Sequence, residues 1–493
     1  MKKTSFLLIA LMFLSISCEK DFLTVVDRNR VTPDIYWKTK DECLASLASV
    51  YASLQIPWWG RWGTTEIAWT AQNYRADEIG IRDDRQAWVD INTFRNIPGN
   101  LTTDYTWFFC YQGIFFANQC LKYFPLSSMS DADKTQLMAE ARFLRAFEYY
   151  LLVNYFRNVP LVTEVPESRE DYFPSQATPQ AVWAQIEDDL TFAKQNLPAN
   201  APEPGRATRG AAAALLGKAH MQQLDWAAAS TAFAEVINGG QYSLVADYGS
   251  LFTGLNDNSS ESVFAIQYSL QKPKGIEECQ PIPMNLYSDG WNENWPAEWL
   301  VQQYLMDTTA TGAYSQRAWG SIAFNKNDPK DMPAPFTEAD TQNKALWKKY
   351  CYNDASWPAD NYTVPTDLHV IRYADVLLSY AEAQNELGNT ASAITEINKV
   401  RARAGVVPLT AGMTQQAVRT HLREFERPVE LALENIRWLD LLRWDDMQAG
   451  TIKSIFVAHG RRVAANYTDT YKYYPIPLTD INTNINLFQN PGY

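Results

Sequence analysis

Residues 206–244 read RATRGAAAALLGKAHMQQLDWAAASTAFAEVINGGQYSL, two short amphipathic segments placed back to back. Ala212, Leu215, Leu216, Ala219 and Leu224 recur at helical spacing in the first, and Ala228, Ala229, Phe233 and Ile237 in the second. A turn is expected at Leu224 and Asp225. Gly217, Ala219 and Ala229 are small enough for two antiparallel helix backbones to approach closely, yet a single pair cannot bury its apolar faces alone. The stretch is therefore one unit of a stack, and the rest of the chain must supply its neighbours.

The spacing of Leu216, Gly217, Ala229 and Phe233 resembles the tetratricopeptide pattern, with Ala213 and His220 where its Trp and Tyr would stand. Upstream, helical period is expected over 40–54, with Leu44, Leu47, Tyr51 and Leu54 on one face, and again over 105–124. A helix over 134–156 carries Leu137, Ala141, Leu144, Glu148 and Leu151 in register and ends at Asn158 to Pro160. The next, 179–196, has Thr178 as N-cap and Pro179 at its first position, and leads through a Pro-rich turn into the quoted pair. Downstream, 262–269 reads as a strand. Helices resume over 373–387 and 391–404 around a turn at Gly388 and Asn389, then over 415–446 with a kink or break before Pro428. The tail 473–493 is irregular. The expected fold is mainly α: a right-handed stack of tetratricopeptide-like helix pairs, about 134–244 and 371–446, with an irregular loop-rich lobe formed by about 55–100 and 262–367.

The chain has 493 residues, 46% hydrophobic and 20% charged, in the range of soluble globular proteins. A formal net charge of -13 argues against a nucleic-acid partner, because phosphate binding draws on Lys and Arg. Met1, Lys2 and Lys3 followed by the apolar run 6–16 read as a secretory signal too short to span as a stable transmembrane helix. The run ends in LSISC (14–18), which resembles the bacterial lipobox, so residues 1–17 are expected to be removed. Cys18 then carries acyl chains that anchor the single domain 18–493 to a membrane. Five cysteines remain, Cys43, Cys110, Cys120, Cys279 and Cys351, and at least one must stay unpaired. With no CxxC and four scattered His, no metal or cofactor is expected, and most of the cysteines read as buried small hydrophobes.

Six phrases in this order resemble one family: CEKDFLTVVD after the lipobox, AEARFLRAFEYYLLVNYFRNVPLV (139–162), IRYADVLLSYAEAQNELG (371–388), INKVRARAGV (397–406), REFERPVELALENIRWLDLLRW (423–444) and YYPIPLTDINTNINLFQNPGY (473–493). The chain is identified as a member of the SusD/RagB nutrient-binding outer-membrane lipoproteins of Bacteroidetes. Two departures are visible: Pro428 stands where that family has a helix former, and Asn435 with Ile436 replaces Gly-His after the acidic residue. The resemblance implies a non-enzymatic, surface-exposed outer-membrane protein. It would capture an oligosaccharide, or in some members a peptide, and deliver it to a SusC-like TonB-dependent transporter. Ligand contacts would come from irregular loops in the two lobe segments, and the repeat helices would face the transporter.

A carbohydrate site needs flat aromatic surfaces for the apolar sugar face beside planar polar groups for the hydroxyl edge. Seventeen Trp is a high count, and many fall where helical period is absent. The ligand-binding candidates are Trp88, Trp291, Trp319, Arg61, Trp62 and Trp59. Trp88 follows Asp77 and Glu78, which resemble the acidic pair before the family's binding loop. Trp291 lies between Gly290 and Asn292, Trp319 beside Gly320, and Arg61 where that loop commonly supplies a polar contact. Trp58 and Trp59 are adjacent, so at most one reaches ligand. Trp299, in the helical phrase WLVQQYLM, belongs to the core, and Arg82, Asp83 and Arg85 read as a solvated charge run.

Catalysis finds little support. Among 56 acidic residues some pair at glycosidase separation is inevitable. GRATRG (205–210) is superficially like a phosphate loop, but Ala211 and Ala212 stand where Lys and Ser/Thr are required. Glu430, Glu434 and Arg437, spaced i, i+4, i+7, suit intrahelical pairing or a buried network better than chemistry. The competing functional class is a scaffold whose repeats hold a transporter complex together.

Overall fold

The computed structural model describes residues 35–55, 73–268, 294–323, 345–350 and 366–493. Helix α1 (Lys40–Leu54) opens on a capping box: the Thr39 hydroxyl accepts from the Glu42 N–H, and the Glu42 carboxylate accepts from the Thr39 N–H. A short strand β1 (Ile79–Ile81) and a short helix α2 (Gln86–Asn92) follow, in a region whose sequence shows weak period. Then come α3 (Leu101–Tyr123), α4 (Asp131–Phe156) and α5 (Pro179–Asn196), the last with Thr178 accepting from Ala181 N and Pro179 in its first turn, as the local chemistry dictates.

The quoted stretch folds into α6 (Arg209–Gln222) and α7 (Trp226–Asn238). Leu224 adopts φ 62° at the turn, and the Asp225 carboxylate caps α7 by accepting from Ala228 N at 3.1 Å. A Cβ on Gly217 would stand 2.7 Å from the Phe233 ring, so the close approach requires glycine there. Strand β2 (Ser262–Ile266) confirms the expected strand, ending earlier than the sequence suggested. The second lobe supplies β3 (Asn294–Pro296), α8 (Glu298–Met306), α9 (Gln316–Ser321), β4 (Ile322–Ala323) and β5 (Leu346–Trp347). Strand β6 (Leu368–Arg372) runs straight into α10 (Tyr373–Glu386), which is followed by α11 (Thr390–Ala404) with Gly405 as its left-handed cap.

Helices α1, α3, α4, α5, α6, α7, α10 and α11 pack each on the next, so the two repeat blocks form one continuous stack, joined where α7 meets α10. Residues 139–156 of α4 are buried except Arg142, which makes that helix the centre of the core. The antiparallel β2–β6 ribbon, with Ser262 opposite Arg372 and Ile266 opposite Leu368, ties the end of the first block to the start of the second.

Beyond α12 (Gln415–His421), the run 415–446 is interrupted twice. A π turn over Leu422–Glu426 precedes Pro428, and α13 (Arg427–Leu431) then stops at Ala432 before α14 (Arg437–Met447) begins. Leu433 (φ 66°) and Asn435 (φ 60°) adopt left-handed backbone in this break, so Asn435 stands where an amide side chain or glycine is favoured. The break lets Glu430 and Glu434 converge on Arg372. Its guanidinium bonds Glu434 at 2.6 Å, Glu261 at 2.6 Å and Glu430 at 2.7 Å, and Lys349 adds a 2.7 Å bond to Glu434. The spacing of these acids thus serves a buried network. The chain closes with α15 (Thr451–Ala458) and α16 (Leu478–Thr483), the latter a short helix within the otherwise irregular tail.

Candidate functional site

The two lobe segments meet in an antiparallel ladder: β1 pairs with β3, Ile79 opposite Pro296, Gly80 opposite Trp295 and Ile81 opposite Asn294. Glycine inside a strand marks close approach, and here a Cβ on Gly80 would collide with the Trp295 indole, which lies half-exposed across the strand. At the free end of β1, Arg82 Nε donates to Asp84 Oδ1 at 2.7 Å. Strand β5 packs beside β3 and pairs with β4, directly after α9, which carries Trp319. That indole is half-exposed; Lys348 Nζ sits 4.8 Å from the ring centroid and donates to the Trp319 carbonyl at 2.9 Å. The Ser315 hydroxyl caps α9, and Arg317 of the same turn is buried against Asp307 at 2.7 Å, so the helix that presents Trp319 is firmly held.

Beneath the ladder the side chains are charged and buried. The Asp77 carbonyl accepts from Trp299 Nε1 at 2.6 Å and the Glu78 carbonyl from Ala297 N at 2.8 Å, so both backbones of the ladder's entrance are cross-linked. The Asp77 carboxylate pairs bidentately with Arg437 at 2.8 and 2.9 Å and accepts from His459 Nδ1 at 2.6 Å. Burial alone would raise the Asp77 pKa, but the Arg437 charge and hydrogen bond outweigh it and hold the group well below the usual carboxylate range. Burial pushes its neighbour Glu78 up to about 8, and among the described residues it accepts from Leu433 N at 3.0 Å.

A half-exposed aromatic platform on a rigid, ion-paired base can stack a flat apolar ligand face and offer a guanidinium and carboxylate to hydroxyls at its edge. A family model described as the SusD family matches residues 329–493, and one described as "Starch-binding associating with outer membrane" matches 45–221. The chain thus resembles the SusD family in both its N-terminal and its C-terminal part. A SusD-like protein of Formosa agariphila is 25% identical over 527 residues, spanning 98% of each chain. The solved structure of a SusD superfamily protein from Bacteroides vulgatus superposes with a TM-score of 0.80 at 23% identity, over 93% of this chain and 100% of its own. A laminarin-binding SusD-like protein superposes with a TM-score of 0.75 at 27% identity, over 92% and 100%.

Within this SusD-like chain the sequence candidates separate. Trp88 lies in the core, only 4% exposed, where α2 tucks its ring 5.3 Å from that of Tyr74 with the Arg85 guanidinium 5.2 Å away. Its expected role as a ligand platform is corrected: the indole has no open face. Trp319 is half-buried, with Lys348 Nζ 4.8 Å from its ring centroid and the Tyr314 ring edge-on at 6.2 Å. Trp291, Arg61, Trp62, Trp59 and Cys18 lie outside the described residues, as do Cys279 and Cys351. Cys43, Cys110 and Cys120 are free and buried, as their reading as small hydrophobes requires. Trp299 is core, stacked on His459 with centroids 3.8 Å apart. Sequence reasoning passed over Trp295. Gly80 in IGI is compatible with a close approach but does not say what makes it.

Proposed function

We propose that this protein is an outer-membrane lipoprotein, anchored through Cys18, that captures an oligosaccharide at the cell surface and delivers it to a SusC-like TonB-dependent transporter. The observation that carries the reading is the β1–β3 ladder, which brings the two aromatic-rich segments together and leaves Trp295 half-exposed. Trp319 lies on α9, which leads into the neighbouring β4–β5 pair, and Arg82 and Asp84 are at the rim. Indole faces match the axial C–H surface of a sugar ring, and the charged rim matches its hydroxyls. The laminarin-binding relative and the family description of starch binding with outer-membrane association support the same ligand class and location. Starch and laminarin binding are binding functions, in keeping with a carrier and not a hydrolase.

Affinity electrophoresis through gels containing starch, laminarin or an acidic polysaccharide tests the capture step. Retardation by one polymer, lost in Trp295→Ala or Trp319→Ala, supports it; migration unchanged in every gel, together with no heat of binding for short oligosaccharides, overturns it in favour of the scaffold. The location and partner are tested by fractionation. Cys18→Ala should release the protein from the outer membrane, and the native protein should co-purify with a β-barrel.

A further inference from the structure

His459 follows α15 and reaches under the β1–β3 ladder. Its Nδ1 lies 2.6 Å from Asp77 Oδ2 and its Nε2 2.7 Å from Glu424 Oε2, while its ring stacks on Trp299 at 3.8 Å and 14°. Both ring nitrogens face carboxylate oxygens, and only the imidazolium can donate to both at once. The cluster ties four parts of the chain together: Asp77 leads into β1, Trp299 opens α8 directly after β3, Glu424 sits in the π turn, and His459 ends α15. The charged groups facing the ring are Asp77, Glu424 and Arg437, the last already committed to Asp77 through two bonds.

We propose that His459 is a positioning residue for the aromatic platform above it, its doubly bonded imidazolium bracing the ladder and its deprotonation freeing Glu424 and slackening the ladder. This rests on the platform being the binding site only for its significance; the brace itself is a property of the ligand-free protein. Asp77 keeps Arg437 when the proton leaves, whereas Glu424, with 36% of its side chain exposed, regains water, so the outer bond is the one that yields. Burial opposes the charge on His459, but the hydrogen bonds to Asp77 and Glu424 outweigh it and raise the pKa above the ordinary value. The folded-state pKa therefore exceeds the unfolded one, and the bracing is fully present below about pH 6.5 and is lost as pH rises through the raised value.

Hydrogen exchange at the Gly80, Trp295 and Ala297 amides, read between pH 5.5 and about 9 and corrected for intrinsic base catalysis, tests this without any ligand. In the native chain the corrected rates should step up about tenfold through the His459 titration, which the ring carbon resonances follow in parallel. His459→Gln should abolish the step. Glu424→Gln, a change at the surface end of the brace, keeps the fold and should move the step to lower pH. A flat corrected profile in the native chain, a His459 resonance that titrates at or below its ordinary value, or a step that survives His459→Gln would each overturn the proposal. Because no glycan enters the measurement, failure here leaves the capture reading untouched, and failure of capture leaves the brace intact.

Discussion

The Arg437 guanidinium grips both oxygens of Asp77 across 360 positions of sequence, Nε to Oδ1 at 2.8 Å and Nη2 to Oδ2 at 2.9 Å. Both side chains are buried, and the pair joins the entrance of the first lobe to the start of α14. Removing one member leaves the other as an uncompensated buried charge, a change that costs about 3–5 kcal/mol. Arg437→Met should lower the unfolding free energy by about 3 kcal/mol, since His459 still contacts Asp77. Asp77→Asn in the same chain should recover part of the loss. Denaturant unfolding of the native chain and the two variants reads this directly, and a single-variant loss under about 1 kcal/mol would mean the pair is solvated and not structural.

A second prediction concerns a buried acid. Glu148, in the middle of α4, meets the Ser53 hydroxyl at 3.4 Å and the Cys110 thiol among the described residues, and a Cβ on Gly113 would stand 2.5 Å from its Oε1. Burial pushes its pKa up to about 8, so it is a neutral carboxylic acid in the folded chain near neutral pH. The folded state then holds a proton that the unfolded chain releases near its ordinary value. Stability from this group is present below about pH 4.5 and falls as pH rises towards 8, with a limiting slope of about 1.4 kcal/mol per pH unit. Glu148→Gln, which keeps the shape and cannot ionise, should flatten that part of the profile between pH 5 and 8. An unchanged slope in the variant would place the charge elsewhere.

What could be read in advance followed from how local each cause is. The N-cap of α5 is set by Thr178 and Pro179 themselves, and the α6–α7 turn by Asp225 and the small residues around it, so these were legible. The acids of the 423–444 phrase were legible as a network but not in their partners, because Arg372 reaches them from the end of β6 and Lys349 from the residues after β5, both remote in sequence. The burial of Trp88 was hidden for the same reason. Seven residues of α2 give too short a pattern to reveal a face, and the ring is covered by Tyr74 from outside that helix. Pairing of Gly80 with Trp295 depends on the register of two three-residue strands far apart in the chain, and such short strands carry no periodic signal.

The contrast between the two indoles yields a third prediction. Trp88→Ala empties a core position and should cost about 3–5 kcal/mol of stability, in line with removal of a buried aromatic ring. Trp319→Ala removes a half-exposed ring whose helix is held by Ser315 and Arg317, and should cost under about 1 kcal/mol while weakening polysaccharide retardation at least several-fold. Thermal unfolding and affinity electrophoresis on the same preparations separate the two effects. Equal stability losses, or retained retardation in Trp319→Ala, would remove Trp319 from the platform.

The last prediction tests the residue pair that forms the platform. Gly80 is needed for space rather than for a left-handed backbone, since the Trp295 indole occupies the position a Cβ would take. Gly80→Ala must therefore push the ring off the strand, at about 1–3 kcal/mol for an overpacked site. Ligand affinity should fall at least as far as in Trp295→Ala, because a displaced indole both vacates the platform and obstructs it. The double variant Gly80→Ala with Trp295→Ala should regain the stability lost by the first change, there being no ring left to clash, while staying unable to bind. Additive losses in the double variant would show that the two residues do not meet, and would leave the ladder without its aromatic surface.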